Sequence, residues 1–231
     1  YYEGTSAILV QETLKHAQEE AAAVAAAVRA RMASETIPWA CETVVAQIAG
    51  LSQIVARRAR FSDLAVLPQP YGEKRGQEAE AATEAVLFDG RTPLLVVPKG
   101  TATADFGKRV VIAWNESVEA LTATRAAIPL LKAAELVNIV VIDPPQHGAD
   151  RSDPGGALSQ LLGRHGVKAE ITVLAKTMPR IADVLDRHIT DLGADLLVMG
   201  AYGHSRFREA IMGGATRDSL ERATVPVLMA H

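Results

Sequence analysis

Gly200, Gly203, Gly213 and Gly214 are the residues of this chain whose spacing speaks most directly of chemistry. They follow an apolar run at residues 194–199 (ADLLVM) and lead into a helix-forming stretch that reaches about Ala223. Glycines at a strand exit let backbone N–H groups approach a ligand closely. The start of the next helix offers unpaired donors and the positive end of its dipole. The arrangement predicts a cradle for phosphate. Thr216, in the first helical turn, adds a hydroxyl donor, and Arg206 and Arg208 add positive charge. His204 adjoins Gly203 and lies within reach of a phosphate, although an ordinary loop histidine is the simpler reading.

Other constellations give less. The six histidines, His16, His147, His165, His188, His204 and His231, show neither H-x3-H nor HExxH spacing, so no metal site is expected. Ser205 has no G-x-S-x-G around it, and neither a Walker A motif nor G-x-G-x-x-G after a strand occurs. Asp143, before Pro144, reads as a turn former. Cys41 is the single cysteine, which excludes an intramolecular disulfide, and it reads as a buried small hydrophobe within a strand. Trp39 and Trp114 read as core residues of strands. A net charge of −3 provides no broad basic field for nucleic acid or an acidic membrane surface. With 4% aromatic residues, stacking platforms for single strands are few. No apolar run approaches the roughly 18 residues of a membrane span, and no signal peptide is evident. A cytoplasmic protein is expected.

The glycine loop needs a scaffold, and the second half supplies one. Buried-strand patterns occur at residues 108–114 (KRVVIAW), 136–142 (LVNIVVI), 168–174, 194–199 and 226–230 (PVLMA). Helical patterns fill 117–134, 157–165, 180–192 and the stretch to about Ala223. Five strands alternating with four helices imply a parallel sheet covered on both faces. The first half reads as helix 8–33, strand 40–46, helix 50–60, strand 63–67 (DLAVL), helix 77–88 and strand 93–97 (PLLVV). Asp63-Leu-Ala-Val-Leu matches Asp195-Leu-Leu-Val-Met at an offset of 132, and Thr92-Pro-Leu-Leu matches Val225-Pro-Val-Leu at 133. A duplicated domain of that size follows. The expected division is a first domain over 1–98, a linker over 99–107 and a second domain over 108–231. The first copy lacks its opening β-α-β, and its loop 69–76 (QPYGEKRG) does not repeat the glycine spacing.

The pattern G-x2-G-x9-G at Gly200, Gly203 and Gly213, followed by Gly214, resembles the ATP-binding signature of universal stress proteins. That resemblance implies two tandem, doubly wound α/β domains with strand order 3-2-1-4-5. It places Asn115 at the ribose, the backbone of Val141 at adenine, and Ala113, Met199 and Gly200 beside the nucleotide. Gly203, Gly213, Gly214, Ala215 and Thr216 would line the ribose and phosphate path, with His204 and Arg206 nearby. Asn115 stands where the family usually has Asp, and Gly214 where it has Ser or Thr. These exchanges remove a charge and a hydroxyl donor and weaken affinity about tenfold or more. The expected function is a stress-response module binding ATP or another adenine nucleotide in its second domain, with Mg2+ only alongside ATP. Its two halves would associate as a pseudo-dimer through their last strands, and chains would pair as homodimers. Catalysis is not expected beyond weak ATP hydrolysis. The alternative is an interaction protein with a relic pocket.

Overall fold

The computed structural model describes residues 3–72, 76–101, 106–144, 153–201 and 214–231. They fall into two compact units, Tyr1–Gly50 and Leu51–His231.

The first unit holds one long helix, α1 (Glu3–Met32). Alanine, with the highest helix propensity, dominates its second half. Pairs such as Lys15 with Glu19 (3.8 Å), and Arg31 with Glu35, lie one turn apart on its surface and just beyond its end. The strand expected at 40–46 does not form: residues 38–47 have no regular structure. An extended segment needs a neighbour to take its N–H and C=O groups, and this unit offers only a helix. Trp39, Val44 and Val45 are exposed, and Cys41 is half-buried rather than buried within a strand.

The second unit is built on one sheet. In chain order its elements are α2 (Ile48–Ala59), β1 (Ala65–Pro68), α3 (Gln77–Glu84), β2 (Leu94–Val97), β3 (Arg109–Ala113), α4 (Val118–Ala133), β4 (Leu136–Ile142), α5 (Gly156–Arg164), β5 (Ala169–Leu174), α6 (Ile181–Leu192), β6 (Leu196–Gly200), α7 (Gly214–Arg222) and β7 (Val227–Ala230). Helix α3 continues as a π-helical turn, Ala85–Gly90, and ends at Arg91 with φ 53°. The seven strands lie in the order β1-β2-β7-β6-β3-β4-β5. Strands β3 to β7 therefore reproduce the expected 3-2-1-4-5 order. Every pairing is parallel except β2 with β7, which run antiparallel with Leu95 opposite Leu228.

The central strands are aliphatic throughout because both of their faces are covered. Val110, Ile112, Leu196 and Val198 pack with Ala123, Ala127 and Leu131 of α4 on one face. Val111, Val140, Leu197 and Met199 pack with Leu185 and Ile189 of α6 on the other. The small side chains of α4 let it lie close to the sheet. Trp114, expected in the core of a strand, follows the end of β3 and is only partly buried at the margin of the α4 face.

One polar chain crosses the α6 face. Asn138, in the middle of β4, is buried; its Nδ2 donates to Thr172 Oγ1 at 2.9 Å, and His188 Nε2 donates to Asn138 Oδ1 at 2.9 Å. Burial holds the His188 imidazole below its usual 6.5, against a smaller opposing pull from Asp191. A base whose pKa falls on folding binds fewer protons in the folded state. Its stabilising contribution is complete above the unfolded pKa and is lost as pH falls from that value through the lower folded one. Lowering pH from 7.5 to 5.5 should therefore cost the native protein more stability than it costs His188→Gln. Urea midpoints at the two pH values measure this, and equal losses in both proteins would exclude it.

Candidate functional site

The chain leaves β3 through α4 for β4 on one side, while β6 lies on the other. Neighbouring connections thus depart to opposite sides of β3. In open parallel sheets, ligands sit at such a switch point, outside the carboxyl ends of the strands. Ala113, the end of β3, lies directly opposite Met199, the residue before the end of β6, and Val141 lies one residue beyond the β3 register in β4. Met199 and Val141 bury their side chains in the two cores, so only their backbones are available there.

The turn after β3 is built by its own side chains. Asn115 is exposed, and its Oδ1 accepts from the Ser117 amide at 3.2 Å. Glu116 adopts φ 62°. Ser117 is the N-cap of α4, accepting from the Ala120 amide at 3.1 Å. Asn115 thus already uses one acceptor lone pair locally, and its second lone pair and its amide group form the polar surface at this rim.

Gly200 has a specific steric reason to be glycine. A Cβ there would lie 2.5 Å from the Ala120 nitrogen and 2.9 Å from the Glu119 carbonyl carbon. The bare backbone of β6 therefore admits the amino-terminal turn of α4 against the strand end. Beyond it, the Ala201 carbonyl accepts from His231 Nδ1 at 3.0 Å, and the His231 ring meets Phe88 edge to face with centroids 4.7 Å apart. Sequence reasoning missed both Ser117 and His231 as organisers of the site. Ser117 carried a signal, since a serine directly before an apolar helical pattern marks an N-cap; His231 carried none.

Gly214, Ala215 and Thr216 form the first turn of α7, with Thr216 buried. A Cβ on Gly214 would meet nothing within 4 Å among the described residues. Gly203, His204, Arg206, Arg208 and Gly213 lie outside the described residues. Asp143 is a turn residue, as expected: it adopts φ 46°, and its Oδ1 accepts from the Lys176 amide at 3.1 Å. Among the described residues, no group of three or more His, Cys, Asp or Glu side chains is placed to hold a metal ion. No helix among them is long and apolar enough to cross a membrane.

A doubly wound α/β sheet of order 3-2-1-4-5, with a glycine at the switch-point strand exit, defines the class. Within it, residues 107–231 match the model of the universal stress protein family, and the chain belongs to that family. A universal stress protein of Synechocystis sp. is 27% identical over 167 residues, which is 67% of this chain and 55% of that relative. The chain thus spans little more than half of that relative's length. Among solved structures, a universal stress protein from Archaeoglobus fulgidus DSM 4304 superposes with a TM-score of 0.70 at 16% identity, covering 96% of this chain and 81% of its own. A putative universal stress protein from Pseudomonas aeruginosa UCBPP-PA14 gives a TM-score of 0.57 at 16% identity, covering 90% and 77%. At these identities the two superpositions speak to the fold.

Proposed function

We propose that the protein is a stress-response module that takes an adenine nucleotide, ATP or AMP, at the carboxyl ends of β3 and β6. The observation that carries this reading is Gly200, whose missing Cβ leaves room for the amino-terminal turn of α4 against the end of β6, from which the chain runs on to the glycine-led start of α7. Ala113, Asn115, Val141 and Met199 at the strand ends would contact adenine and ribose; Gly214, Ala215 and Thr216 would meet phosphate. His204, Arg206 and the remaining loop glycines would add to the phosphate end. The site supplies binding and no committed chemistry; Mg2+ would enter only with ATP. Occupancy would act by shifting a conformational or partner-binding equilibrium. The reading includes a cytoplasmic setting, a first domain without a working site over 1–98, a linker over 99–107 and a second domain over 108–231. The antiparallel join of β2 and β7 supports association of the halves as a pseudo-dimer, and further pairing between chains belongs to the same proposal.

Calorimetry with ATP, AMP and cyclic AMP tests it, alongside mass spectrometry of nucleotide released from purified protein. One site per chain is expected; no heat with any of the three and no released nucleotide would refute it. The open space at Gly214 adds a sharper expectation. Gly214→Ser should fold normally and bind nucleotide about five- to tenfold more tightly, the worth of one added hydrogen bond.

A further inference from the structure

The internal repeat extends to strand register. Adding 132 to β1 and 133 to β2 carries the pairs Ala65–Leu94, Val66–Leu95, Leu67–Val96 and Pro68–Val97 onto Leu197–Val227, Val198–Leu228, Met199–Met229 and Gly200–Ala230, which are the observed pairs of β6 and β7. Pro68 is thus the counterpart of Gly200, and the segment leaving β1 is the first copy's version of the glycine loop. It does not repeat the glycine spacing. It docks on the second copy instead. Gln69 Nε2 donates to the Leu220 and Glu221 carbonyls of α7. Tyr71, only 4% exposed, presents its ring to Arg217, whose guanidinium carbon lies 5.0 Å from the ring centroid.

Arg217 is the fourth residue of α7 and directly follows Thr216. Side chains of a helix lean toward its amino terminus, which directs Arg217 to the first turn. A guanidinium within about 6 Å of a tyrosine ring centroid, over the ring face, is held there by cation–π attraction. Stacking engages the flat face of the group and leaves its in-plane fork of N–H donors open, and that fork matches the oxygens of a phosphate. Among the described residues, no carboxylate or carbonyl accepts from Arg217. Arg180 and Arg222 differ, since both are engaged with Asp183, at 3.1 and 2.7 Å. Arg217 therefore keeps its charge and its donors for another anion, while a buried ring limits where the group can go.

We propose that Arg217 is a phosphate ligand of the nucleotide site and that Tyr71, from the first half of the chain, is its positioning residue. The proposal rests on the nucleotide reading above and adds a division of labour to it. The first copy, without a glycine loop of its own, supplies the ring that orients a cation for the second copy's ligand.

A double-mutant cycle on Arg217 and Tyr71, read by calorimetry of the full chain with ATP and AMP, tests this. Arg217→Gln should weaken binding about tenfold or more, the loss of one charge-assisted contact. Tyr71→Leu, which keeps an apolar side chain in the core, should weaken it about threefold, as expected for a cation–π contact to an exposed cation. Tyr71→Phe, which keeps the ring, should retain the native affinity. In the Arg217→Gln background, Tyr71→Leu should cost nothing further. An equal loss from Tyr71→Leu in both backgrounds would make the ring a packing element and overturn the proposal. Native binding that survives Arg217→Gln unchanged would do the same and leave the nucleotide reading standing. A native chain that binds neither ATP nor AMP would refute that reading, and this one with it. The Nε–H resonance of Arg217 gives a readout that needs no ligand: the ring current of Tyr71 should shift it in the native chain and in Tyr71→Phe, and the shift should vanish in Tyr71→Leu. A resonance that stays put in Tyr71→Leu would exclude the positioning role.

Discussion

Gly200→Ala should destabilise the protein by about 3 kcal/mol, at the upper end of the cost of overpacking a filled interior. The added methyl would meet Ala120 N at 2.5 Å, Glu119 C at 2.9 Å and Ala120 Cα at 3.0 Å. All three are backbone atoms of one helical turn, so no side chain can rotate away. Either α4 shifts off the end of β6, or Gly200 and Ala201 give up their pairing with Ala230. Both would also displace the Ser117 cap and the Asn115 turn, so under the proposed function nucleotide affinity should fall with stability. Gly163→Ala is the matched control. A Cβ there meets nothing within 4 Å, and the residue lies inside α5. That exchange should stabilise by about 0.5–1 kcal/mol through helix propensity alone. Urea denaturation of both variants decides the matter. Losses under 1 kcal/mol for Gly200→Ala would mean that the close approach of α4 is not required.

Asp195→Ala should cost about 2–3 kcal/mol. One carboxylate accepts from three successive amides, of Gly107 at 3.0 Å, Lys108 at 3.1 Å and Arg109 at 2.9 Å. Its own amide donates to Arg109 O at 2.9 Å. Bonds to a charged acceptor are the stronger kind, and the exposure of two of them returns part of the loss to water. Asp195→Asn keeps one acceptor oxygen and should lose about half as much. The side chain fixes where the chain enters β3, so the loss should appear as faster amide exchange at residues 107–109 before it appears elsewhere. A global loss without that local signature would place the role of Asp195 outside this contact.

The second half was legible because its strands are short aliphatic runs bounded by turns, and its helices carry a one-sided apolar pattern. Every strand of β3 to β7 falls within two residues of its sequence reading. The Asp-Leu signatures at Asp63 and Asp195 also gave the repeat, which the register of β1 on β2 and β6 on β7 matches pair for pair. The reading failed at 40–46, where a run rich in Val promised a strand. Propensity describes how a residue fits a pleated surface, and no such surface adjoins this segment within its unit. The π-helical turn at Ala85–Gly90 and the left-handed Arg91 had no signal, because an extra residue in a helical turn leaves the apolar pattern almost unchanged. At the site, Gly200 was singled out for a ligand, and its packing against α4 became visible only with the fold. The polar link from Thr172 through Asn138 to His188 joins residues 50 positions apart, a distance that no local pattern reports.

The antiparallel join of β2 and β7 gives the sheet two polarities. Five strands deliver their carboxyl ends to one rim, and β1 and β2 deliver theirs to the opposite rim. The segment that leaves β1 therefore arrives at the tail of α7 and not at its head. Gln69 Nε2 donates there to the Leu220 and Glu221 carbonyls, at 2.5 and 2.8 Å, and Arg217 lies 5.0 Å above the Tyr71 ring. An amide donor set against the negative end of a helix is the complement of an anion set against its positive end. The first half of the chain thus closes α7 electrostatically at its tail, while the glycine-led head of the same helix belongs to the second half.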